Sequence, residues 1–385
     1  MGYLTVKMSP RVRQMTLEEF LFEQNIKPIY YNAKETNTRT FAFQEIPQKY
    51  QLGFNIQALI REFECFNRRY SDLFAVEDRS SLYYEFYIPK KSGGLRKIDA
   101  PNDDLKRALR ELKTILEKKC GALYHTSAFA YIEGRCTLDA LKRHQGNASK
   151  WYAKFDLTNF FGSTTLDFTM KMLSQVFPLS EIMQWSDGKR ELTKAISLGF
   201  LNGGLPQGTP LSPTLTNIIM IPIDYEFNRV LREGTQKFVC TRYADDFIIS
   251  SKKDFKVNEI ANKLRGVLKH FDAPYVLKDE KTRYGSVAGQ NWNLGLMINA
   301  NNEITVGHKR KREFKAMLTN YIMDTKHGKI WDIHDVQTMD GLNNYYQSVE
   351  KETINEIINH IDKKFNVKVE EMIKFQLMGG VFDEF

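Results

Sequence analysis

The sequence predicts an α+β fold in which antiparallel hairpins alternate with helices along the whole chain. Paired strand patterns separated by short turns recur at residues 83–88 and 95–98, 238–243 and 247–251, and 293–298 and 303–306. Helical periods fall between these pairs, so strands and helices interleave rather than separating into blocks. The 385 residues, 42% apolar and 26% charged, are enough for two or three subdomains with shared cores.

Residues 1–75 stand apart as an N-terminal extension of short helical patterns with an aromatic, polar stretch around Tyr30, Tyr31, Phe41 and Phe43. Alternation over 83–88 reads as a strand, Pro89-Lys90-Lys91-Ser92-Gly93-Gly94 as a tight turn, and 95–98 as the returning strand. Leu105, Ala108, Leu109, Leu112 and Leu116 keep a helical period over 105–119. The run 151–157 is a short apolar strand that ends in a carboxylate. Residues 215–231 read as one long helix, kinked to tolerate Pro222. Ala244-Asp245-Asp246 forms the turn of a strand–turn–strand unit, and Ile354, Ile357, Ile358 and Ile361 make an apolar helical stripe.

Lys and Arg number 55 against 47 Asp and Glu, a formal charge of +8. Such an excess favours an anionic partner, because basic groups facing phosphates release counterions. Residues 89–113 carry eight basic against four acidic groups, and His308-Lys309-Arg310-Lys311-Arg312 is a dense cluster. Either run taken alone also reads as a solvated helix face. Cys65, Cys120, Cys136 and Cys240 lie far apart without a Cys-x-x-Cys pair, which disfavours a disulfide scaffold or a zinc ribbon. No apolar run approaches the roughly 20 residues of a membrane span. The first ten residues lack a secretory apolar region. A reduced, cytoplasmic protein without membrane contact is expected.

Two adjacent carboxylates at a hairpin tip, Asp245 and Asp246, repel each other unless cations neutralise them. An Asp-rich turn that caps its own backbone is the plainer alternative. Asp156 changes the weighing, because a charge that ends an apolar strand needs a partner. If the two strands lie side by side, three carboxylates converge at one sheet edge as an oxygen-rich cage for magnesium. Two such ions can activate a hydroxyl and stabilise a leaving pyrophosphate.

Three motifs occur in order: Phe155-Asp156-Leu157-Thr158-Asn159-Phe160-Phe161, Gly204-Leu205-Pro206-Gln207-Gly208-Thr209-Pro210-Leu211-Ser212-Pro213, and Tyr243-Ala244-Asp245-Asp246. Together they resemble the central motifs of bacterial reverse transcriptases, the branch of retron, group II intron-like and defence-associated or abortive-infection enzymes. Ile88-Pro89-Lys90-Lys91-Ser92-Gly93-Gly94-Leu95-Arg96-Lys97-Ile98 is similar to the fingers hairpin of that family. Ala128-Phe129-Ala130-Tyr131-Ile132-Glu133-Gly134-Arg135 is similar to its template-side segment. Lys281-Thr282 and Asn293-Leu294-Gly295-Leu296 resemble late palm motifs, and Gly341-Leu342-Asn343-Asn344-Tyr345-Tyr346 a thumb segment. The resemblance spans roughly residues 83–350.

It implies a right-hand polymerase fold: fingers at 76–152, an RRM-like antiparallel palm sheet at 153–300 with a fingers insertion at 166–204, and a helical thumb at 301–385. Residues 1–75 would then bind RNA or mediate self-association. Asp156, Asp245 and Asp246, with the Leu157 carbonyl, would hold two Mg2+ ions, or Mn2+ in their place. Asp246 is the member set apart, since adjacent strand residues tend to face opposite ways. Phe161 would lie under the sugar of the incoming dNTP and exclude a 2′-hydroxyl, while core packing is the other reading of Phe160 and Phe161. Gln207 and Gly208 would shape the nucleotide pocket through close backbone approach. Arg96 with Lys90 would grip the triphosphate, or else be solvated hairpin charges. Lys281 would protonate pyrophosphate, or be a surface lysine. Arg135 and the cluster His308, Lys309, Arg310, Lys311 and Arg312 would contact a template RNA and the RNA/DNA hybrid product.

Two positions depart from the usual retron pattern. Trp151 stands where those enzymes carry His, and Asn293-Leu294-Gly295 stands where they carry Val-Thr-Gly. No maturase extension or Cys/His-bearing endonuclease is expected. The implied activity is RNA-directed DNA synthesis on a dedicated non-coding RNA in an anti-phage setting. An untemplated or protein-primed nucleotidyltransferase would use the same residues. A non-catalytic RNA-binding module would be expected to lose a metal carboxylate, and none is lost. Oligomeric state is not legible.

Overall fold

The computed structural model describes residues 55–90, 93–287 and 295–380. Most of the N-terminal extension, the start of the Asn293-Leu294-Gly295 segment and the last five residues lie outside this set. The chain divides into two compact units, residues 1–136 with 153–284 and residues 137–152 with 285–385.

In the first unit β1 (Tyr83–Pro89) and β2 (Leu95–Pro101) pair antiparallel, with Ile88 opposite Arg96 and Pro89 opposite Leu95. A helix follows at Asp103–Cys120, opened by Asn102, whose side chain accepts from the Leu105 N–H. It buries Leu105, Ala108, Leu109, Leu112 and Leu116, the stripe expected from sequence, together with Ile115 and Cys120. That face packs against the helix Ser212–Ile219. The helix Ile56–Arg69, part of the segment read as an extension, packs on Leu179–Ile182 and Ser186–Ser197 through Leu59, Ile60, Phe63 and Phe66.

The centre of the unit is a four-stranded sheet in the order β4-β5-β3-β6, from β3 (Trp151–Asp156), β4 (Phe238–Tyr243), β5 (Asp246–Ser251) and β6 (Arg283–Ser286). Phe155, Phe247, Ile248 and Ile249 are buried in it. The expected single helix over 215–231 is instead two, Ser212–Ile219 and Ile221–Leu231. Pro222 has no N–H for the preceding turn and its ring clashes there, so the chain breaks at Met220 and restarts with Pro222 in the first turn.

In the second unit, β7 (Met297–Ile298) and β8 (Ile304–Thr305) form a short hairpin, with His308–Lys326, Ile333–Phe365 and Val369–Leu377 as the main helices. Ile354, Ile358 and Ile361 are buried in the second of these, and Ile357 is half-buried. That helix breaks at Glu350, where the carboxylate accepts from the Val306 N–H at 2.6 Å, Thr305 Oγ1 at 2.7 Å and Lys311 Nζ at 2.8 Å. Among the described residues no helix is long and apolar enough to cross a membrane.

Candidate active site

β4 and β5 pair from Phe238 opposite Ser251 to Tyr243 opposite Asp246, which leaves Ala244 and Asp245 as the connection. β3 lies beside β5, and the Leu157 N–H donates to the Asp245 carbonyl at 3.2 Å. Asp156 at the end of β3 and Asp246 at the start of β5 therefore share one sheet edge with Asp245, as the apolar strand ending in a charge implied. Beyond β3 the backbone is held further, for the Asp156 carbonyl accepts from the Lys278 N–H at 2.8 Å. This places Lys281 over the site.

Two lysines answer the carboxylates. Lys281 Nζ donates to Asp156 Oδ2 at 3.1 Å, and Lys154 Nζ donates to Asp246 Oδ2 at 2.6 Å. Burial, then the neighbouring charges of Asp246 and Asp156, push the Asp245 carboxyl up to about 6. Burial also raises Asp246, against the lowering effect of Lys154. Lys281 is raised by its hydrogen bond to Asp156. Among the described residues no three His, Cys, Asp or Glu side chains are gathered tightly enough to hold a metal ion as they stand. The cage expected from sequence is thus not closed in this arrangement, with Asp156 and Asp246 each turned onto an ammonium group.

Phe160 and Phe161 part company. Phe160 is buried, its ring 4.9 Å from that of Tyr275, whereas Phe161 is half-buried and its carbonyl accepts from the Leu205 N–H at 3.0 Å. Gly204 makes this approach possible, since a Cβ there would fall 2.3 Å from the Gly162 carbonyl oxygen. The Gln207 carbonyl accepts from the Asp99 N–H at 2.8 Å, and Gly208, at φ 115, would place a Cβ 2.6 Å from Ile98 Cγ2. The close approach that Gly208 permits is therefore to β2. Lys90 and Arg96 are exposed on the hairpin, and the Arg96 charge reaches Tyr131.

Arg135 is half-buried, and its Nη1 donates to the carbonyls of His125 and Ala128 at 2.8 and 2.7 Å, bracing its own loop. In the second unit His308, Lys309 and Arg312 are exposed, but Arg310 donates to the Gly295 carbonyl at 2.8 Å and Lys311 pairs with Glu350. The basic run thus divides into outward charges and internal ties.

Lys154 and, behind the turn, Arg242, Asp224 and Asn217 are not among the candidate residues expected from the sequence. A signal existed: Arg242 lies in an apolar strand and Asp224 in an apolar helix, the same anomaly that singled out Asp156.

Carboxylates at the end of a sheet, a backbone-pinned aromatic and a basic hairpin are the features expected of a nucleotide-polymerising class of protein. Residues 88–315, more than half of the chain, match the family model for reverse transcriptase (RNA-dependent DNA polymerase). The chain belongs to that family, as an RNA-directed DNA polymerase with the right-hand polymerase fold. It is 28% identical over 313 residues to the Retron Ec83 reverse transcriptase of Escherichia coli, covering 79% of this chain and 94% of that one. With the Retron Mx162 reverse transcriptase of Myxococcus xanthus it shares 26% over 271 residues, 66% of this chain and 54% of the relative. Apo telomerase from Candida tropicalis aligns over 78% of this chain and 62% of its own, at 14% identity and a TM-score of 0.45. The chain thus spans less than two thirds of that telomerase.

Proposed function

We propose that the protein copies a dedicated structured RNA into DNA, extending a 3′-hydroxyl with dNTPs by a two-metal reaction, in a prokaryotic anti-phage system. The observation that carries this reading is the common sheet edge of Asp156, Asp245 and Asp246, where Asp245 is pushed up to about 6 by burial and its neighbours. Such a donor set fits hard divalent cations, Mg2+ or Mn2+. Asp156, Asp245 and Asp246 would hold them, with the Leu157 carbonyl as a further donor. Bound ions supply activation of the attacking hydroxyl and charge neutralisation at the leaving pyrophosphate.

The chain's own groups do the rest. Lys281, kept protonated beside Asp156, holds a proton for the departing pyrophosphate. Arg96 and Lys90 project from the hairpin to grip the triphosphate, Arg96 in bidentate fashion. Phe161, its backbone pinned by Leu205, closes the space below the sugar against a 2′-hydroxyl, which makes DNA the product. His308, Lys309 and Arg312 offer backbone contacts to the RNA template and hybrid. The anti-phage setting is drawn from the resemblance to retron and abortive-infection enzymes.

The test is to purify the protein from its native expression context and sequence the nucleic acid that accompanies it. One predominant structured RNA, with complementary DNA that disappears in Asp245→Asn, is expected. DNA unrelated in sequence to any bound RNA would replace this reading with an untemplated transferase.

A further inference from the structure

Arg242 and Asp224 form an ion pair whose side chains are each 1% exposed. Arg242 Nε donates to Asp224 Oδ1 at 2.8 Å and Nη2 to Asp224 Oδ2 at 2.7 Å. Burying such a pair gains little stability over well-packed apolar residues, so what else it holds becomes the question. The remaining nitrogen, Nη1, donates to the Ala244 carbonyl and to Asn217 Oδ1, both at 3.1 Å. Asn217 Nδ2 in turn donates to the Ala130 carbonyl at 2.7 Å. The backbones are joined as well: the Phe129 N–H donates to the Arg242 carbonyl at 2.9 Å and the Arg242 N–H to the Ser127 carbonyl at 2.6 Å.

Both ends of this relay meet strained backbone. Ala244 takes φ 56 and Tyr131 φ 58, a left-handed region that L-residues of these types rarely adopt and that strains the backbone. The carbonyl of Ala244 leads directly into Asp245, and that of Ala130 leads into Tyr131. Tyr131 is 51% exposed, and its ring centroid lies 6.4 Å from that of Tyr243. Burial, then the charges of Tyr243 and Asp245, raise its hydroxyl, against the lowering effect of Arg96.

We propose that Arg242, Asp224 and Asn217 are positioning residues that lock the catalytic turn and Tyr131 into one register for nucleotide addition. The inference rests on the polymerase reading of Asp245. Arg242→Lys keeps a charge for Asp224 but gives up the planar fork that reaches Ala244 and Asn217 together. Asn217→Ala leaves the Arg242–Asp224 ion pair and the Arg242–Ala244 bond whole and removes both the Arg242–Asn217 bond and the tie to Ala130, so it tests the relay even if the arginine variant fails to fold.

The experiment is primer extension by the full chain on a supplied RNA template, with melting temperature measured alongside. Arg242→Lys is expected to raise the Mg2+ concentration for half-maximal rate by about tenfold or more. Adding Ala244→Gly should recover most of that loss, because glycine enters the left-handed region without a brace. Asn217→Ala should raise KM for dNTP by about fivefold or more, with its Mg2+ dependence unchanged. Activity lost only in step with folded protein, with Mg2+ dependence and KM unmoved, would overturn the proposal, as would failure of Ala244→Gly to rescue. Asp245→Asn run beside them separates the two levels: wild-type incorporation by that variant removes the polymerase site itself and the cluster's role with it.

Discussion

β1–β2 and β4–β5 are both antiparallel hairpins with uninterrupted register, yet one stands in solvent and the other in the core. From Tyr84 to Pro89 every residue of β1 is exposed, including Tyr84 at 69% and Tyr87 at 54%. Its turn uses Gly93 and Gly94 at φ 86 and 78, which need no support. A two-stranded hairpin is marginal alone, and this one is tied at its base, by the Gln207–Asp99 backbone bond and the Asn102 N–H to the Leu82 carbonyl. The pairing of Lys97 with exposed Glu85 and half-buried Asp99 lies at the surface and adds little. β4–β5 differs at each point. Its strands are mostly buried, and its turn puts an alanine where glycine would be easy, held by a buried arginine. The contrast is one of support: the adjacent carboxylates sit on a hairpin held from several sides, while the Lys90 and Arg96 charges proposed to meet the triphosphate sit on a solvent-exposed arm tied at its base.

The sharpest way to break that contrast is at the core hairpin's neighbour. Asp156→Asn is expected to reduce nucleotide addition by about a thousandfold or more while the protein stays folded, since one of three repelling charges is removed. Incorporation at the wild-type rate would show that the buried edge does not carry the chemistry. A middle-sized effect belongs to the open arm. Arg96→Ala should lower kcat/KM for dNTP about 10- to 100-fold, the worth of a charged hydrogen-bonding contact, and shift the melting temperature by no more than about 1–2 °C. A variant that loses stability instead of affinity would make the arm a structural element like its counterpart.

The smallest expected effect is on stability. Asp245 is raised in the folded protein to about 6 from an ordinary 3.8, so folding favours its protonated form. Below about pH 4 both states are protonated and nothing is lost. As pH rises towards 6 the unfolded chain releases the proton first, and above 6 the ionised group costs about 1–2 kcal/mol after allowance for solvent screening. Asp245→Asn should therefore stabilise the protein at pH 8 in chelator and have little effect near pH 4. Denaturant midpoints at the two pH values measure this, and an equal shift at both would mean that the turn does not confine the charge.

Local chemistry was readable from the chain itself. Period-two runs bounded by Gly, Pro and Asp marked β1–β2 and β4–β5, and the helical stripe from Leu105 to Leu116 was buried as its spacing required. Ordered motifs carried the family, while Trp151 and Asn293-Leu294-Gly295 remain departures from the usual retron pattern, and residues 293 and 294 lie outside the described set. Pro222 breaks the helix rather than kinking it, because the apolar period runs on across a residue that lacks the N–H the turn needs. What no local pattern could supply was the choice of partner. Periodicity assigns a side chain to a face; it does not say which distant residue meets that face. Lys154 and Asp246, Lys281 and Asp156, Arg242 and Asp224, and Gly208 and Ile98 each come together through the packing of separate elements. The sequence determined by itself which charged residues stand out of apolar surroundings and which strands would carry them. Only the tertiary structure decided that two lysines pair with the carboxylates at the sheet edge and that a buried arginine donates to their turn, because a buried charge is satisfied by whatever opposite charge the fold brings within hydrogen-bond reach.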